Sequence, residues 1–319
     1  MKIALLIAGI LLAAGLILGV IGLAFYGFNF KEISTMKSIE NSYVVSESFS
    51  HIAIESSIGN VEILPATDGV CRVDCKEKEQ LYFTVNVAND TLCITLIKHA
   101  KWYHFIGVNG AHAGATVYLP EGVYASLDIK NTTGNVTIST KSTFDNVTMK
   151  SSTGSTSIEN ATVNNALSLE SSTGSRHLTN VNVGGNLTMQ ATTGSLALKG
   201  VHVGGAVQIK TSTGGTNMDS VTCESLHLTY SSGGATLANV VASGHMEIEG
   251  NTGSLRFECA DAASIKIKTS TGSVKGTLRT EKIFLASSSS GSINVPHSTS
   301  GGICEIKTSS GSIHLELAK

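Results

Sequence analysis

A Ser/Thr-Gly step returns every 19 or 20 residues from residue 127 to the end of this 319-residue chain. A fixed period near 20 residues is typical of a solenoid, in which each repeat forms one coil that stacks on the next. Glycine suits a sharp corner because it adopts φ > 0 without a steric penalty. The glycines of the step are Gly134, Gly154, Gly174, Gly194, Gly214, Gly233, Gly253, Gly272, Gly291 and Gly311.

Apolar and polar residues alternate in three places within each repeat. In the repeat of Gly194, apolar residues occupy positions 187 and 189, 196 and 198, and 201 and 203. Period-two alternation is typical of a strand with one buried face, so that Leu198 should point inward and Lys199 outward. The pattern predicts an all-β, single-stranded, β-helix-like solenoid of about 20 residues per coil and about ten regular coils. Strands about 4.8 Å apart would give a rod about 45–50 Å long.

Hydroxyl side chains precede each glycine. Because equivalent positions of stacked coils lie above one another, these side chains should form columns along the rod. They could hydrogen-bond to the turn backbone and to each other, or they could form a flat stripe that contacts glycan or another surface. The column two residues before the glycine, here called the hydroxyl column, contains Thr132, Ser152, Ser172, Thr192, Ser212, Ser231, Ser270, Ser289 and Ser309.

The composition restricts the class of partner. The chain has 22 basic and 24 acidic residues and a formal net charge of −2. Neither nucleic acid nor an acidic membrane surface is therefore an implied partner. Aromatic residues make up only 5% of the chain, which fits a narrow coil with room for small side chains only.

Six cysteines are present, and their positions do not indicate a disulfide framework. Cys223 and Cys304 fall in inward columns several coils apart, whereas a disulfide needs Cα atoms within about 7 Å. They are interpreted as small core residues. Cys71 and Cys75 share a strand face too far apart to bond to each other. Cys93 could pair with one of them across a hairpin, and the sequence leaves this open.

The N-terminal segment carries a long apolar run. Residues 3–28 contain no charge, and these 26 residues exceed the ~20 that cross a bilayer as a helix. A cleavable signal peptide has a shorter apolar core and a small-residue cleavage site. Here the run ends in aromatic residues that fit an interfacial belt. We predict a transmembrane signal anchor over residues 1–30 with the bulk of the chain outside the cell membrane; whether it is cleaved stays open.

Three further regions follow the anchor. Residues 31–50 are predicted to be a polar tether. Residues 51–126 are predicted to form an N-terminal β coil around Gly59, with a hairpin insertion that caps the rod end nearest the membrane. The regular repeats occupy residues 127–319.

The far end of the rod shows no cap in the sequence. The last coil runs through Ile313 and Leu315, and the chain stops at Lys319. An open coil exposes unpaired backbone groups, which is a liability for a solenoid. We therefore predict that this C-terminal coil binds a partner or pairs with a second rod, with protection of the edge by the charges of Glu316 and Lys319 as the alternative.

No set of residues predicts catalysis. Enzymes of the polysaccharide lyase kind need charged groups that converge on a groove. The nearby loop histidines fit no established zinc spacing, so we predict no catalytic, cofactor or metal site. The acidic residues at unequal offsets from their glycines are Asp128, Asp145, Asp219 and Asp261, and the loop histidines are His99, His104 and His112.

The chain resembles a bacterial family of putative-adhesin domains of unknown function. Three elements carry the resemblance: residues 52–63, the Val-Tyr-Leu-Pro step that ends at Pro120, and the Thr-Gly coils from Gly134 to Gly311. The resemblance implies a surface-exposed, extracytoplasmic β-solenoid that is often tethered by one N-terminal helix. It implies no agreed activity and carries over no catalytic residue.

These observations favour a membrane-anchored adhesin or envelope interaction scaffold without catalysis. Residues 3–28 would contact the membrane, and cell-wall glycan or another envelope protein would be the partner. The alternative is a partner or sensor subunit of a membrane stress-response complex. A β-helix carbohydrate-active enzyme is a third hypothesis, which the scattered acidic residues disfavour.

Overall fold

The computed structural model describes residues 12–20, 38–78, 81–98 and 113–318. Residues 12–20 form a helix, and the remaining described ranges contain 27 strands in one hydrogen-bonded network. The strands form a solenoid of about ten turns, which confirms the predicted all-β solenoid. The strands are β1 (Ser38–Val45), β2 (His51–Ser56), β3 (Asn60–Pro65), β4 (Cys71–Lys78), β5 (Leu81–Ala88), β6 (Thr91–Lys98), β7 (Gly114–Leu119), β8 (Val123–Thr133), β9 (Val136–Ser139), β10 (Thr143–Thr153), β11 (Thr156–Glu159), β12 (Thr162–Thr173), β13 (Arg176–Thr179), β14 (Asn182–Val183), β15 (Leu187–Thr193), β16 (Leu196–Val203), β17 (Ala206–Thr213), β18 (Thr216–Cys223), β19 (Ser225–Ser232), β20 (Ala235–Ala238), β21 (Val241–Thr252), β22 (Leu255–Thr271), β23 (Val274–Leu278), β24 (Lys282–Ser290), β25 (Ile293–Asn294), β26 (Gly302–Ser310) and β27 (Ile313–Leu317).

Coils stack in parallel and in register. Val147 of β10, for example, lies between Leu127 of β8 and Leu167 of β12. The inward columns form a continuous apolar core along the rod. Leu198 is buried and Lys199 is exposed, as the alternation predicts.

The repeated glycine turns the first corner. Gly154 has φ = 134°, a conformation that favours glycine. A Cβ on this residue would overlap the carbonyl oxygen of Gly134 in the coil below. Close stacking of the coils therefore excludes any side chain at this corner.

A second corner lies six residues after the glycine, and the sequence analysis did not identify it. Asn160 and Asn180 both adopt φ = 54° there, and asparagine is among the few residues that tolerate this region. Asn180 Nδ2 donates a hydrogen bond of 3.3 Å to Asn160 Oδ1, so the corners are also linked between coils. The first coils contain two separate strands rather than three. The apolar pair that follows this corner runs into the same long strand as the first apolar pair of the next coil.

At the N-terminal end the chain visits the coils out of order. The coil of Gly59, formed by β2 and β3, lies between β8 and β9 on one side and β6 and β7 on the other. Three antiparallel strands extend the sheet beyond this level, since β5 pairs with β6, and β4 pairs with both β7 and β1. The hairpin of β5 and β6 turns at Asn89 and Asp90, which both have positive φ.

The polar tether predicted over 31–50 differs from the structure. Residues 38–45 form β1, which pairs with β4 over eight residues. Tyr43 and Val45 pack against the apolar core, so side-chain burial recruits this mostly polar segment to the sheet. Residues 31–37 lie outside the described residues.

At the C-terminal end the chain again departs from sequential order, which corrects the predicted position of the last coil. Strand β26 pairs with β22 on one side and β24 on the other, and β27 lies between β23 and β25. The coil of residues 302–317 is thus inserted between the coil of Gly272 and the coil of Gly291. The outermost level is the coil that contains β24 and β25.

A buried ion pair spans the inserted coil. Lys282 lies beside Gly302 in the sheet register, and its Nζ is 2.7 Å from Oδ1 of Asp261 on the far side. A Cβ on Gly302 would overlap the carbonyl oxygen of Ala263, so glycine allows the inserted coil to stack closely on β22. Both contacts favour the observed order of the coils.

The predicted membrane span of residues 3–28 falls largely outside the described residues. Its described part, residues 12–20, is helical. None of the helices within the described ranges combines the length and the apolar character that a membrane crossing needs.

Candidate functional site

The hydroxyl column lies on an exposed edge of the rod beside the glycine corner. All nine of its side chains are exposed. The residue that follows each column member in the chain pairs with the equivalent residue of the next coil. This parallel register starts with Thr133 and Thr153 and ends with Ser310 and Ser290. The column therefore runs along the rod with an interruption at Asn251, and Ser309 precedes Ser289 in space because the last two coils exchange places.

The hydroxyls of this column make no hydrogen bond to other groups in the described part of the chain. Bonding to the turn backbone is instead found one residue earlier. Asn131 Nδ2 donates to the carbonyl oxygens of Gly59 and Gly134, each at 3.1 Å, and Ser56 Oγ donates to the carbonyl of Ile58 at 3.0 Å. This bonding is confined to some coils, because the hydroxyls at the same position in Ser171, Thr211, Thr269 and Thr308 are buried without a hydrogen-bond partner among the described residues.

A shallow groove of about 460 Å³ runs along the rod beside the hydroxyl column. It crosses five coils, which corresponds to about 20 Å. Its rim contains Lys130, Lys150, Glu170, Gln190 and Lys210, and its opposite side contains the hydroxyl column from Thr132 to Ser212.

The charges at the groove largely pair with each other. Lys130 Nζ is 2.6 Å from Glu55 Oε1, and this hydrogen bond raises the pKa of Lys130. Lys150 Nζ is 3.2 Å from Glu170 Oε2. Exposed ion pairs of this kind contribute little to stability. Lys210 makes no ion pair in the described part of the chain, so the groove surface is polar with a small excess of positive charge.

Arg176 lies buried beneath this region, and the sequence analysis overlooked it. It occupies the inward position two residues after Gly174, where other coils carry apolar or small residues. Its guanidinium donates to the carbonyls of Gly154 and Ser175, each at 2.9 Å, and to Ser151 Oγ at 2.8 Å. Burial lowers the pKa of Arg176 to about 10. Its offset from the glycine was the signal that could have revealed it.

The acidic residues singled out in the sequence do not form a common site. Asp261 pairs with Lys282 at the far end of the rod, whereas Asp145 accepts a hydrogen bond from Asn164 at 2.8 Å. Within the described ranges, no group of three or more His, Cys, Asp or Glu residues could hold a metal ion. His99, His104 and His112 lie outside the described residues.

All six cysteines are free, so Cys93 forms no disulfide with Cys71 or Cys75. Burial raises the pKa of the Cys71 thiol to about 11 and is the largest cause of the rise for Cys75, to about 12. Burial likewise raises the pKa of Cys223 to about 11 and of Cys304 to about 12. These thiols stay protonated at neutral pH and serve as small core side chains.

Comparison with solved structures finds several chains of the same general kind. A putative adhesin from Bacteroides fragilis is 16% identical with a TM-score of 0.34, and the similarity covers 89% of this chain and 99% of that chain. A putative adhesin from Parabacteroides merdae is 13% identical with a TM-score of 0.36, covering 88% and 96%. A putative lipid binding protein from Parabacteroides distasonis is 12% identical with a TM-score of 0.40, covering 88% and 97%. We draw no conclusion about this chain from similarities at this level.

The family comparison is stronger. No curated protein matches the chain significantly. The profile of a domain family described as Toastrack DUF4097, however, matches residues 49–296. This range includes the coil of Gly59, the hairpin insertion and the repeats as far as the outermost coil. The chain therefore belongs to the Toastrack DUF4097 family.

Proposed function

We propose that this chain is a membrane-anchored, extracytoplasmic interaction scaffold of the adhesin type, and that it has no catalytic activity. The observation that carries the proposal is the hydroxyl column, which is exposed and free of intramolecular hydrogen bonds over its described length. Each hydroxyl offers one donor and two acceptor lone pairs. A repeat of about 4.8 Å along a stiff rod suits a polymer with its own repeated hydroxyls, such as cell-wall glycan.

The charge distribution supports a binding role. Lys130 and Lys150 at the groove are held by carboxylates rather than directed at one point. General acid–base chemistry needs groups of matched pKa that converge on a reacting atom. A groove in which two of the three lysines are paired and one side carries many hydroxyls offers broad polar contact instead.

Anchoring by residues 3–28 is part of the proposal and rests on the uncharged apolar run in the sequence. We expect the full chain to remain in the membrane fraction after an alkaline carbonate wash. A variant that lacks residues 3–28 should be released. Recovery of both forms in the soluble fraction would contradict the anchor without affecting the binding role of the rod.

A pelleting assay with purified peptidoglycan sacculi tests the binding role. The full chain in mild detergent should co-sediment with sacculi. A triple variant with Ser152→Ala, Ser172→Ala and Ser212→Ala should bind about tenfold more weakly or worse, because each lost hydrogen bond contributes about 1 kcal/mol.

Exposed serines elsewhere on the rod provide a matched control. Ser155, Ser195 and Ser254 follow the glycines of their coils and lie on another face. Their replacement by alanine should leave the binding to sacculi unchanged. Failure of the unmodified chain to bind sacculi, with capture of one membrane protein by crosslinking, would favour the stress-response partner instead.

A further inference from the structure

The outermost coil at the C-terminal end has an open strand edge. Within the described residues, β24 pairs only with β26, and β25 pairs only with β27. Residues 283–294 contain no charged residue and no proline. Natural edge strands are usually protected by charges, proline or bulges. This edge lacks the charged residues and the proline that would prevent it from pairing with a strand of another chain.

Apolar side chains are exposed at the same place. Leu285 is 55% exposed, Ile303 is 52% exposed and Ile293 is 44% exposed. Ile283 is also exposed and lies beside Ile303 in the sheet register. Phe284 points toward the core but remains only partly buried. A backbone edge and an apolar patch therefore coincide at the terminal coil, with Ile303 of the adjoining inserted coil completing the patch.

We propose that two copies of this chain pair end to end through β24, as antiparallel strands about a two-fold axis. An antiparallel strand can be complementary to itself: a register centred on Phe284 places Ile283 opposite Leu285 of the second copy, and the reverse. No like charges meet, because the nearest cation, Lys282, is buried and paired with Asp261. The terminal coil, residues 279–301, is close to the roughly 20–30 residues per side of a standard interface.

The opposite end of the rod explains why a second copy would pair tail to tail. There, Phe83 of β5 donates its backbone N–H to Glu77 Oε1 at 2.7 Å, and its carbonyl accepts from the Tyr43 hydroxyl at 3.5 Å. Side chains thus occupy part of that edge, and the outer strand β1, which pairs only with β4 in the described residues, carries the charge of Glu40. Pairing through the C-terminal end alone gives a closed dimer, whereas head-to-tail pairing would give an open fibre.

If the anchor proposed above is correct, such a dimer would link two surfaces. Each rod would leave its own membrane at the N-terminal end, and the two rods would meet at their far ends. The dimer would then be a self-adhesive contact of about 100 Å between two cells. The pairing itself depends on β24 and does not require the anchor or the binding of glycan.

The test uses two full-length preparations with different affinity tags, purified separately in mild detergent and then mixed. We expect an affinity resin specific for one tag to recover the chain that carries the other tag. Leu285→Lys should reduce this recovery at least about tenfold, because it places charges at the junction. Val123→Lys is the matched control, since Val123 is 70% exposed on the side of the rod, and it should behave like the unmodified chain.

Three outcomes would overturn the proposal: no recovery with the unmodified chain, undiminished recovery with Leu285→Lys, or equal loss with Val123→Lys. Unchanged melting temperatures of both variants would show that the lysines do not act through unfolding. Loss of pairing with retained binding to sacculi would separate this inference from the proposed function.

Discussion

The two ends of the rod protect their outermost strands in different ways. At the N-terminal end, β1, β4 and β5 extend the sheet with antiparallel strands, and the core includes Val73 and Phe83 from this layer. Glu77 is buried there and satisfies backbone and side-chain donors of its neighbours. At the C-terminal end, β24 has a strand on one side only in the described chain. The N-terminal end thus carries an added antiparallel layer, whose outer strand β1 pairs only with β4 in the described chain, whereas at the C-terminal end a regular coil is itself the edge.

The ends nevertheless share one topological feature. In both, the chain places an outer coil and an inner coil in non-sequential order, so that β2 and β27 each have parallel neighbours on both sides. The last strand of the chain is therefore held inside the stack rather than at its edge. The order of the coils in space thus differs from their order in the sequence at both ends of the rod.

The largest expected effect is a difference in the free energy of unfolding between two variants, each with one core phenylalanine replaced by aspartate at one end of the rod. Phe83→Asp places a charge where the side chain is 2% exposed, and we expect a loss of about 4 kcal/mol or more in the free energy of unfolding. Phe284→Asp should cost about 1–3 kcal/mol, because the partly open coil lets water reach the carboxylate. Denaturant unfolding measures both, with the exposed Lys199→Asp as a control within about ±0.5 kcal/mol. Equal losses would mean that the two ends are equally covered.

Disulfide trapping tests the order of the last coils. Lys268 and Lys307 lie side by side, so cysteines at both positions should form a disulfide under mild oxidation. Cysteines at Lys268 and Ser287 should not, because the inserted coil separates them by about 9.6 Å, beyond the ~7 Å limit. Mass spectrometry of peptides would identify the bonds. The reverse result would restore the sequential order of coils.

Thiol labelling compares opening at the two ends. Cys304 and Cys75 are both buried, and both have a pKa of about 12, raised chiefly by burial. Their intrinsic reactivity is therefore similar, and the labelling rate reports how often each end opens. In low urea we expect Cys304 to react several-fold faster than Cys75, since a single coil covers it. Faster labelling of Cys75 would contradict the assignment of the weaker end.

The smallest effect concerns an ion pair near the inserted coil. Lys266 Nζ is 2.7 Å from Glu247 Oε1, and this hydrogen bond lowers the pKa of Glu247 below its ordinary value of 4.5. The contact therefore adds stability above that value and loses it as the pH falls through the folded-state pKa. Glu247→Gln should slightly reduce the fall in melting temperature between about pH 5 and pH 3. The exposed Glu224→Gln is the control, and an identical pH profile for both variants would exclude the contribution.

The repeat determined most of the fold from the sequence alone. Inward positions such as Leu198 and the exposure of the hydroxyl column follow from a period of two within a strand and about 20 between coils. Both periods are local properties of the chain. Arg176 and the corner at Asn160 are equally accessible from the sequence, because each lies at a fixed offset from the glycine of its coil.

Two features required the tertiary structure. Strand β1 is drawn from a segment with a weak pattern, and only its pairing with β4 shows that Tyr43 reaches the core. The order of the coils is likewise absent from the sequence pattern, because coils of one period have matching registers and any coil can stack on any other. Non-repeating contacts decide it: Lys282 of the outermost coil pairs with Asp261 across the inserted coil, and Gly302 lets the inserted coil stack closely on Ala263.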